Sequence, residues 1–174
     1  METGLLLLRL VLALILFTHA TQKLAGWFGG NGLTRQAEIF ATLGLRPGRA
    51  MVLAAGVSEL LAAIGLLFGL LTPLAALLAA GTMAVAGATM QLNSGKFWNI
   101  AGGGEYPYVL AAAAVVLGFT GAGAFSLDAL LAEPGSVLER VFYHPAPWVG
   151  AAVLLGAALA VIPFASVVKK AAAR

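Results

Sequence analysis

The chain has 174 residues, of which 61% are hydrophobic and 10% are charged, and its formal net charge is +3. Soluble domains normally have about a quarter of their residues charged, so this composition indicates an integral membrane protein instead. The basic residues are few and scattered, which argues against nucleic acid as a partner. The absence of cysteine excludes disulfide chemistry, thiolate-bound metals and iron–sulfur clusters within this chain.

Five apolar segments are long enough to be predicted as membrane-spanning helices. In chain order they cover residues 4–24, 49–71, 73–91, 106–123 and 147–168. Helices are expected because a spanning segment must satisfy its backbone hydrogen bonds within lipid. Small residues recur every four positions in the third and fifth segments, which predicts close packing of the helices. The predicted fold is therefore an all-α, polytopic membrane bundle.

The connection between the first two spans carries apolar residues near helical spacing at residues 34–45. This pattern predicts either a short amphipathic helix lying on the inner membrane surface or an ordinary connecting loop. The sequence leaves the two interpretations open.

The basic residues predict an N-terminus outside and a C-terminus in the cytoplasm, in a prokaryotic cytoplasmic membrane. With five spans, eight of the ten lysines and arginines fall on one side, as the positive-inside rule requires of the cytoplasmic side. The alternative, four spans with a peripheral last helix, places Lys169 and Lys170 on the less favoured side. The eight predicted inner residues are Lys23, Arg35, Arg46, Arg49, Lys96, Lys169, Lys170 and Arg174, and the two outer ones are Arg9 and Arg140.

Polar side chains gather in the inner half of the predicted bundle. Lys23 is four residues after His19 and Gln22 is three, so the trio is expected on one helix face. Glu59 lies near the middle of the second span, where a carboxylate must be protonated, paired or hydrated. Asn99 and Glu105 belong to the connection after the third span, at the same predicted end.

These residues form the predicted site. We expect catalytic roles for His19, Glu59 and Glu105, and ligand-binding roles for His19, Gln22, Lys23 and Asn99. Structural alternatives stay open for several of them. Lys23 can extend to the interface, Glu105 can stabilise a helix N-terminus, and Glu59 can form a structural ion pair with Arg9 or Lys23. Arg9 can itself extend outward or pair with an acid.

Neither haem nor a metal ion is expected. Bis-histidine haem ligation needs two imidazoles on opposite faces of one porphyrin. The other histidine, His144, lies in the predicted outer connection, across the membrane from His19.

A set of short motifs resembles the DoxX family of small membrane proteins. The motifs are Arg9-Leu10, Phe17-Thr18-His19, Lys23-Leu24, Glu59-Leu60, the turn Gly69-Leu70-Leu71-Thr72-Pro73, and Asn99 with Gly103-Gly104-Glu105-Tyr106-Pro107. The resemblance covers residues 4–124 and implies a four-helix membrane bundle. The sequence departs from the family at Ala20, where the family often has glycine, and in its fifth span. The predicted organisation is a DoxX-like bundle at 1–124, an external connection at 125–146, and an additional helix with a basic tail at 147–174.

The resemblance implies two classes of function. Some family members are linked to thiosulfate oxidation with electrons passed to quinone, which favours a redox-associated subunit that binds quinone and receives electrons from a partner. Others are implied to hold oxidative-stress or sulfur-transfer enzymes at the membrane, which favours a non-catalytic scaffold for soluble partners. The sequence leaves open whether the chain is an enzyme. Its expected partners are membrane lipid, soluble or membrane partner subunits, and further copies of the chain, for which the fifth span offers a surface.

Overall fold

The computed structural model describes residues 1–172, so Arg174, which contributes to the predicted inner charge, lies outside the described residues. Short 3-10 turns at Trp27–Gly29 and Asn99–Ala101 and a π-helical turn at Glu139–Tyr143 connect the α-helices. Within the described residues the α-helices are α1 (Glu2–Leu24), α2 (Gly32–Thr42), α3 (Gly48–Phe68), α4 (Thr72–Ser94), α5 (Glu105–Thr120), α6 (Leu127–Leu131) and α7 (Pro147–Ala172). The predicted all-α membrane bundle is confirmed.

Four of the five predicted spans are helices long and apolar enough to cross a membrane: α1, α3, α4 and α7. The remaining one, α5, is apolar but has 16 residues, which gives a length of about 24 Å at ~1.5 Å per residue. It ends earlier than predicted because Gly121 adopts a positive φ of 73°, which terminates the helix. α5 still crosses most of the bundle, since its first turn lies beside His19 and the segment after it reaches Glu2.

The centre of the bundle is α4, which packs against α3, α5 and α7. Ala76 and Ala80, two members of the predicted small-residue ladder, are completely buried. Glycine allows close approach elsewhere: Gly87 of α4 packs against the ring of Tyr108, and Gly118 of α5 against Val153. Without a hydrophobic driving force between helices in lipid, such close packing is what holds the bundle together.

The segment at 34–45 is mainly helical, which decides between the two sequence interpretations. α2 packs against α3 and α1, and none of its residues is fully buried. Its position is fixed by glycines that touch backbone: Gly30 lies against Gln22, and Gly48 against Ala37. A side chain at either glycine would collide with that backbone, so α2 is held closely beside the end of α1 and the start of α3.

The bundle has two ends, which we name by residues of α1. The Glu2 end carries the turn between α3 and α4 and the segment 121–128. The Leu24 end carries α2, the start of α3, and the ends of α4 and α7. His144 lies at the Glu2 end, where Tyr143 contacts Gly121, while His19 lies towards the other.

Candidate functional site

An ion pair joins α1 to α3 inside the bundle, near the Leu24 end. The ammonium nitrogen Nζ of Lys23 lies 2.9 Å from Oε1 and 2.8 Å from Oε2 of Glu59. It also donates a 3.4 Å hydrogen bond to the backbone carbonyl of His19. The Glu59 side chain is 2% exposed and that of Lys23 is 20% exposed, so the carboxylate is buried and the ammonium only partly. The sequence left two alternatives open for Lys23. In the structure it pairs with Glu59 and does not extend freely to the interface.

A glycine on α3 makes this pairing geometrically possible. Gly56 lies three residues before Glu59, on the same side of α3, and packs directly against the side chain of Leu24. A Cβ at Gly56 would approach Leu24 Cγ to 2.7 Å, so a larger residue would force the Leu24 side chain or the two helices to shift. The short helix separation brings a lysine from the end of α1 onto a carboxylate in the middle of α3.

The ion pair forms part of the wall of a cavity of about 410 Å³ between α1, α2, α3, α4 and α5. This volume falls within the range of small-molecule sites, which are mostly apolar with a few polar groups. Polar lining comes from His19, Lys23, Glu59, Gln36, Thr82, Thr89 and Tyr106, and apolar lining from Phe40, Leu43, Leu45, Ala55, Met83, Val85, Ala86, Met90 and Pro107.

His19 and Tyr106 face each other across this cavity wall. Their ring centroids are 6.3 Å apart with an interplanar angle of 76°, an edge-to-face contact between α1 and the first turn of α5. None of the hydrogen bonds found among residues 1–172 uses an imidazole nitrogen of His19; its backbone carbonyl accepts from Lys23 instead. The imidazole is therefore a group in the cavity that can both donate and accept a proton.

The other three predicted site residues lie outside the cavity wall. The Gln22 amide donates 3.3 Å to the carbonyl of Phe28, so it holds the turn after α1. The carboxylate of Glu105 accepts a 3.0 Å hydrogen bond from the backbone N–H of Asn99. Glu105 also stands in the first turn of α5, where a negative charge is favourable, in line with its structural alternative.

Several cavity residues were not anticipated from the sequence. α2 supplies Gln36 and Phe40, and α4 supplies Met83 and Thr89. The signal available in the sequence was the helical spacing of the apolar residues in α2. This spacing indicated that one face of the helix packs against an apolar surface. Nothing in the linear order indicated that this face would cover the His19 cavity.

Comparison with known proteins identifies the family of this chain. The DoxX family model matches residues 4–92. This chain belongs to the DoxX family. A protein of Bacillus subtilis (strain 168), named "Putative oxidoreductase CatD", is 32% identical over 127 residues, which cover 73% of this chain and 86% of the relative. No solved structure shows significant similarity to the chain.

The DoxX match contains the ion pair but not the whole cavity. His19, Lys23 and Glu59 lie within the matched residues, as do the cavity-lining parts of α2 and α4. Tyr106 and Pro107 come from α5, beyond the match. The cavity is therefore built mainly from the family region and completed by the chain that follows it.

A second buried charged cluster lies at the Glu2 end. Arg9 is fully buried, and its guanidinium donates to the backbone carbonyl of Phe125 and lies against Gly69. Asp128 is 4% exposed and accepts hydrogen bonds from the backbone N–H groups of Leu71 (2.7 Å) and Thr72 (2.8 Å). Arg9 thus lies inside the bundle and does not extend outward, and among residues 1–172 it forms no ion pair with an acid.

The Asp128 carboxylate stabilises a strained helix start. Leu71 has a φ of 49°, a left-handed conformation that costs about 1–3 kcal/mol in a residue other than glycine. Both N–H groups that Asp128 accepts stand at the N-terminus of α4, where helix amides lack internal partners and a negative charge is favoured. The hydrogen bonds of this cluster go to backbone groups, which indicates a structural role.

Proposed function

We propose that this DoxX protein is a redox-associated membrane subunit that binds quinone in the His19 cavity. The observation that supports this proposal is a cavity of about 410 Å³, whose largely apolar wall includes a histidine and a buried lysine–glutamate pair. Polar and charged groups are costly within a membrane protein and are usually retained for use. The name of the Bacillus subtilis relative supports the redox assignment.

The cavity residues fit the chemistry of a quinone. A quinone ring is apolar and flat with two carbonyl oxygens, and when bound it accepts two electrons and two protons. His19 is the group we assign to hydrogen-bond one carbonyl, because its imidazole lines the cavity and forms no hydrogen bond among residues 1–172. Apolar residues such as Phe40 and Met83 supply contact area for a ring. We assign the supply of electrons to a partner subunit.

The ion pair is suited to hold and deliver protons. Lys23 contacts both oxygens of Glu59 and the carbonyl of His19, so its three ammonium protons are directed to the same small region. A proton lost from Lys23 is replaced from the partly exposed side of the lysine, since the paired Glu59 carboxylate carries none. The pair has no net charge, so a neutral ligand fits beside it better than an anion.

The test is native mass spectrometry of protein gently extracted from its own membrane. We expect a co-purifying quinone with the unchanged chain, and loss of that quinone in Glu59→Gln. Glu133→Gln is the matched control, because Glu133 is exposed in the connection before α7. If the unchanged chain is folded and carries no quinone, the proposal is contradicted.

We propose that the Leu24 end faces the cytoplasm of a prokaryotic cell. Exposed basic residues at this end support it through the positive-inside rule: Arg35, Arg46, Arg49, Lys96, Lys169 and Lys170. Because the chain contains no cysteine, single substitutions report the sidedness directly. An impermeant thiol reagent should label Glu133→Cys in intact cells and Lys169→Cys only after lysis; the reverse pattern would invert the topology.

The same exposed basic residues support a second candidate function, a membrane anchor for a soluble partner enzyme. If the chain is an anchor, charge reversal at Arg35 and Arg46 should release the partner, whereas His19→Ala should leave it bound. A partner that stays bound after charge reversal would count against anchoring through this surface.

A further inference from the structure

A second cleft opens on the surface of the bundle beside the His19 cavity. It has a volume of about 420 Å³, with α4 as its floor and α3 and α7 as its walls. Its central residues, Ser58, Gly81 and Gly156, lie near the middles of three spanning helices. All three are half-buried, so the cleft opens sideways at the depth of the lipid hydrocarbon. We call it the α3–α7 groove.

The groove and the His19 cavity adjoin each other. Both are lined by the same five residues, which form the junction between them: Phe40, Leu45, Ala55, Thr82 and Val85. The groove side of the junction is almost wholly apolar, while the cavity side ends in His19 and the Lys23–Glu59 pair. The two spaces therefore lie side by side, one apolar and open towards the hydrocarbon and the other ending in polar groups. Together they match a molecule with a polar head and a long apolar tail.

We infer that the α3–α7 groove binds the isoprenoid tail of a quinone whose ring lies in the His19 cavity; this inference rests on the proposed function. Charge decides between this occupant and a phospholipid. A phospholipid would bring a negatively charged phosphate towards Glu59, whose partner Lys23 is already engaged on both carboxylate oxygens. A quinone head carries no charge and offers only acceptors, which suits the His19 imidazole, a donor there that forms no hydrogen bond within residues 1–172.

One wall of the proposed tail site is formed by α7. Gly156, Ala160 and Phe164 recur every four residues, so they lie on one face of α7 and form one side of the groove. All three lie beyond residues 4–92 that the DoxX model matches. The tail site therefore depends on the helix that the sequence marks as an addition, whereas the head site depends on the family region.

The test compares two quinones that share a ring and differ in the tail. The probes are 2,3-dimethoxy-5-methyl-1,4-benzoquinone, which has no tail, and the same ring with a decyl chain. Affinities are measured by quenching of tryptophan fluorescence with the full chain in nanodiscs of fixed lipid content. Ala160→Leu fills the groove from α7 and Ser58→Leu fills it from α3, so a folding defect in one variant leaves the other. Ala158→Leu is the control, because Ala158 is exposed on another face of α7.

We expect each groove variant to weaken binding of the decyl quinone about tenfold, since overpacking a fitted site is costly. Binding of the tailless ring should change less than twofold, and the control should bind both probes normally. Equal weakening of both probes, or no weakening of either, overturns the tail site while leaving the head site standing. Loss of a co-purified phospholipid with unchanged decyl affinity would assign the groove to an acyl chain and overturn the inference. If the unchanged protein binds neither probe, the proposed function itself fails.

Discussion

The two buried charged clusters of this bundle differ in what lies beside them. At the Glu2 end, Arg9 and Asp128 are enclosed, and their atoms are used to hold the backbone of the α3–α4 turn and the segment after α5. Near the Leu24 end, Lys23 and Glu59 bond to each other and form the wall of a cavity. Both clusters place charged side chains in the interior of this bundle. Burial of charge alone therefore does not identify a functional site; contact with a cavity is the further sign near the Leu24 end.

The largest effect on stability is expected from the enclosed cluster. Asp128→Ala removes the acceptor for the N–H groups of Leu71 and Thr72 and leaves the buried guanidinium of Arg9 without a nearby negative charge. Leaving a buried donor without an acceptor typically costs about 1–3 kcal/mol in the free energy of unfolding, and here two backbone N–H groups lose theirs. Thermal unfolding of the purified protein measures it. Asp128→Asn, which keeps one acceptor oxygen, should lose less, and equal stability of both variants would contradict this structural role.

A smaller loss of stability is expected at the cavity pair, together with loss of function. Glu59→Gln should cost about 1–3 kcal/mol, because Lys23 loses a charged partner but is partly exposed and can regain water. Replacing both residues, as in Lys23→Met with Glu59→Met, should restore most of that stability, since an intact apolar pair needs no compensation. The double variant should fold yet bind no quinone. Retained quinone in a folded double variant would make this pair structural, like the charged cluster at the Glu2 end.

A substitution at His19 is expected to lower quinone affinity while leaving stability almost unchanged. His19→Phe keeps a ring against Tyr106 but removes the hydrogen-bonding nitrogens, so the midpoint of thermal unfolding should change little. Affinity for the tailless quinone should fall about tenfold, the value of one good hydrogen bond. The fluorescence titration described for the groove measures this. Unaltered affinity would remove His19 from the site.

The smallest effects are expected at Asn99 and Glu105, which the sequence predicted as site residues. Asn99→Ala keeps the backbone N–H that Glu105 accepts from, so stability should change by less than about 0.5 kcal/mol. Glu105→Gln should cost about 0.3–1 kcal/mol through the helix N-terminus. Neither should alter quinone affinity. A tenfold loss of affinity in either would extend the site towards the start of α5.

The sequence was a good guide to the fold because lipid imposes one conformation on long apolar segments. α1, α4 and α7 lie close to their predicted bounds, and the helical interpretation of residues 34–45 is the one found. α3 ends at Phe68 rather than at residue 71, because Gly69 adopts a positive φ of 60°. The end of α5 was misjudged because apolarity continues past Gly121, whereas the positive φ of that glycine ends the helix earlier. Composition records which residues tolerate lipid, and the helix end depends on backbone geometry.

The site was only partly predictable. His19, Lys23 and Glu59 were identifiable because polar groups within a span are costly and therefore conspicuous. Asp128 was inconspicuous, since an acid in a connection between helices looks solvated until the fold buries it under the α3–α4 turn. The contribution of Phe40 and Gln36 was equally hidden, because it depends on where α2 folds back rather than on which residues it contains.

The contacts between Glu2 or Arg9 and the segment after α5 impose an order on biosynthesis. The carboxylate of Glu2 accepts a hydrogen bond from the backbone N–H of Ala124 (2.6 Å), and Arg9 donates to the carbonyl of Phe125. During insertion, the first helix must therefore wait for more than a hundred residues of nascent chain before its charged groups find their acceptors and donors. A chain that stopped at residue 92 would contain everything the family model matches and would still leave a guanidinium in the bilayer without its partners. Quality control at the translocon should recognise such a chain as unfinished.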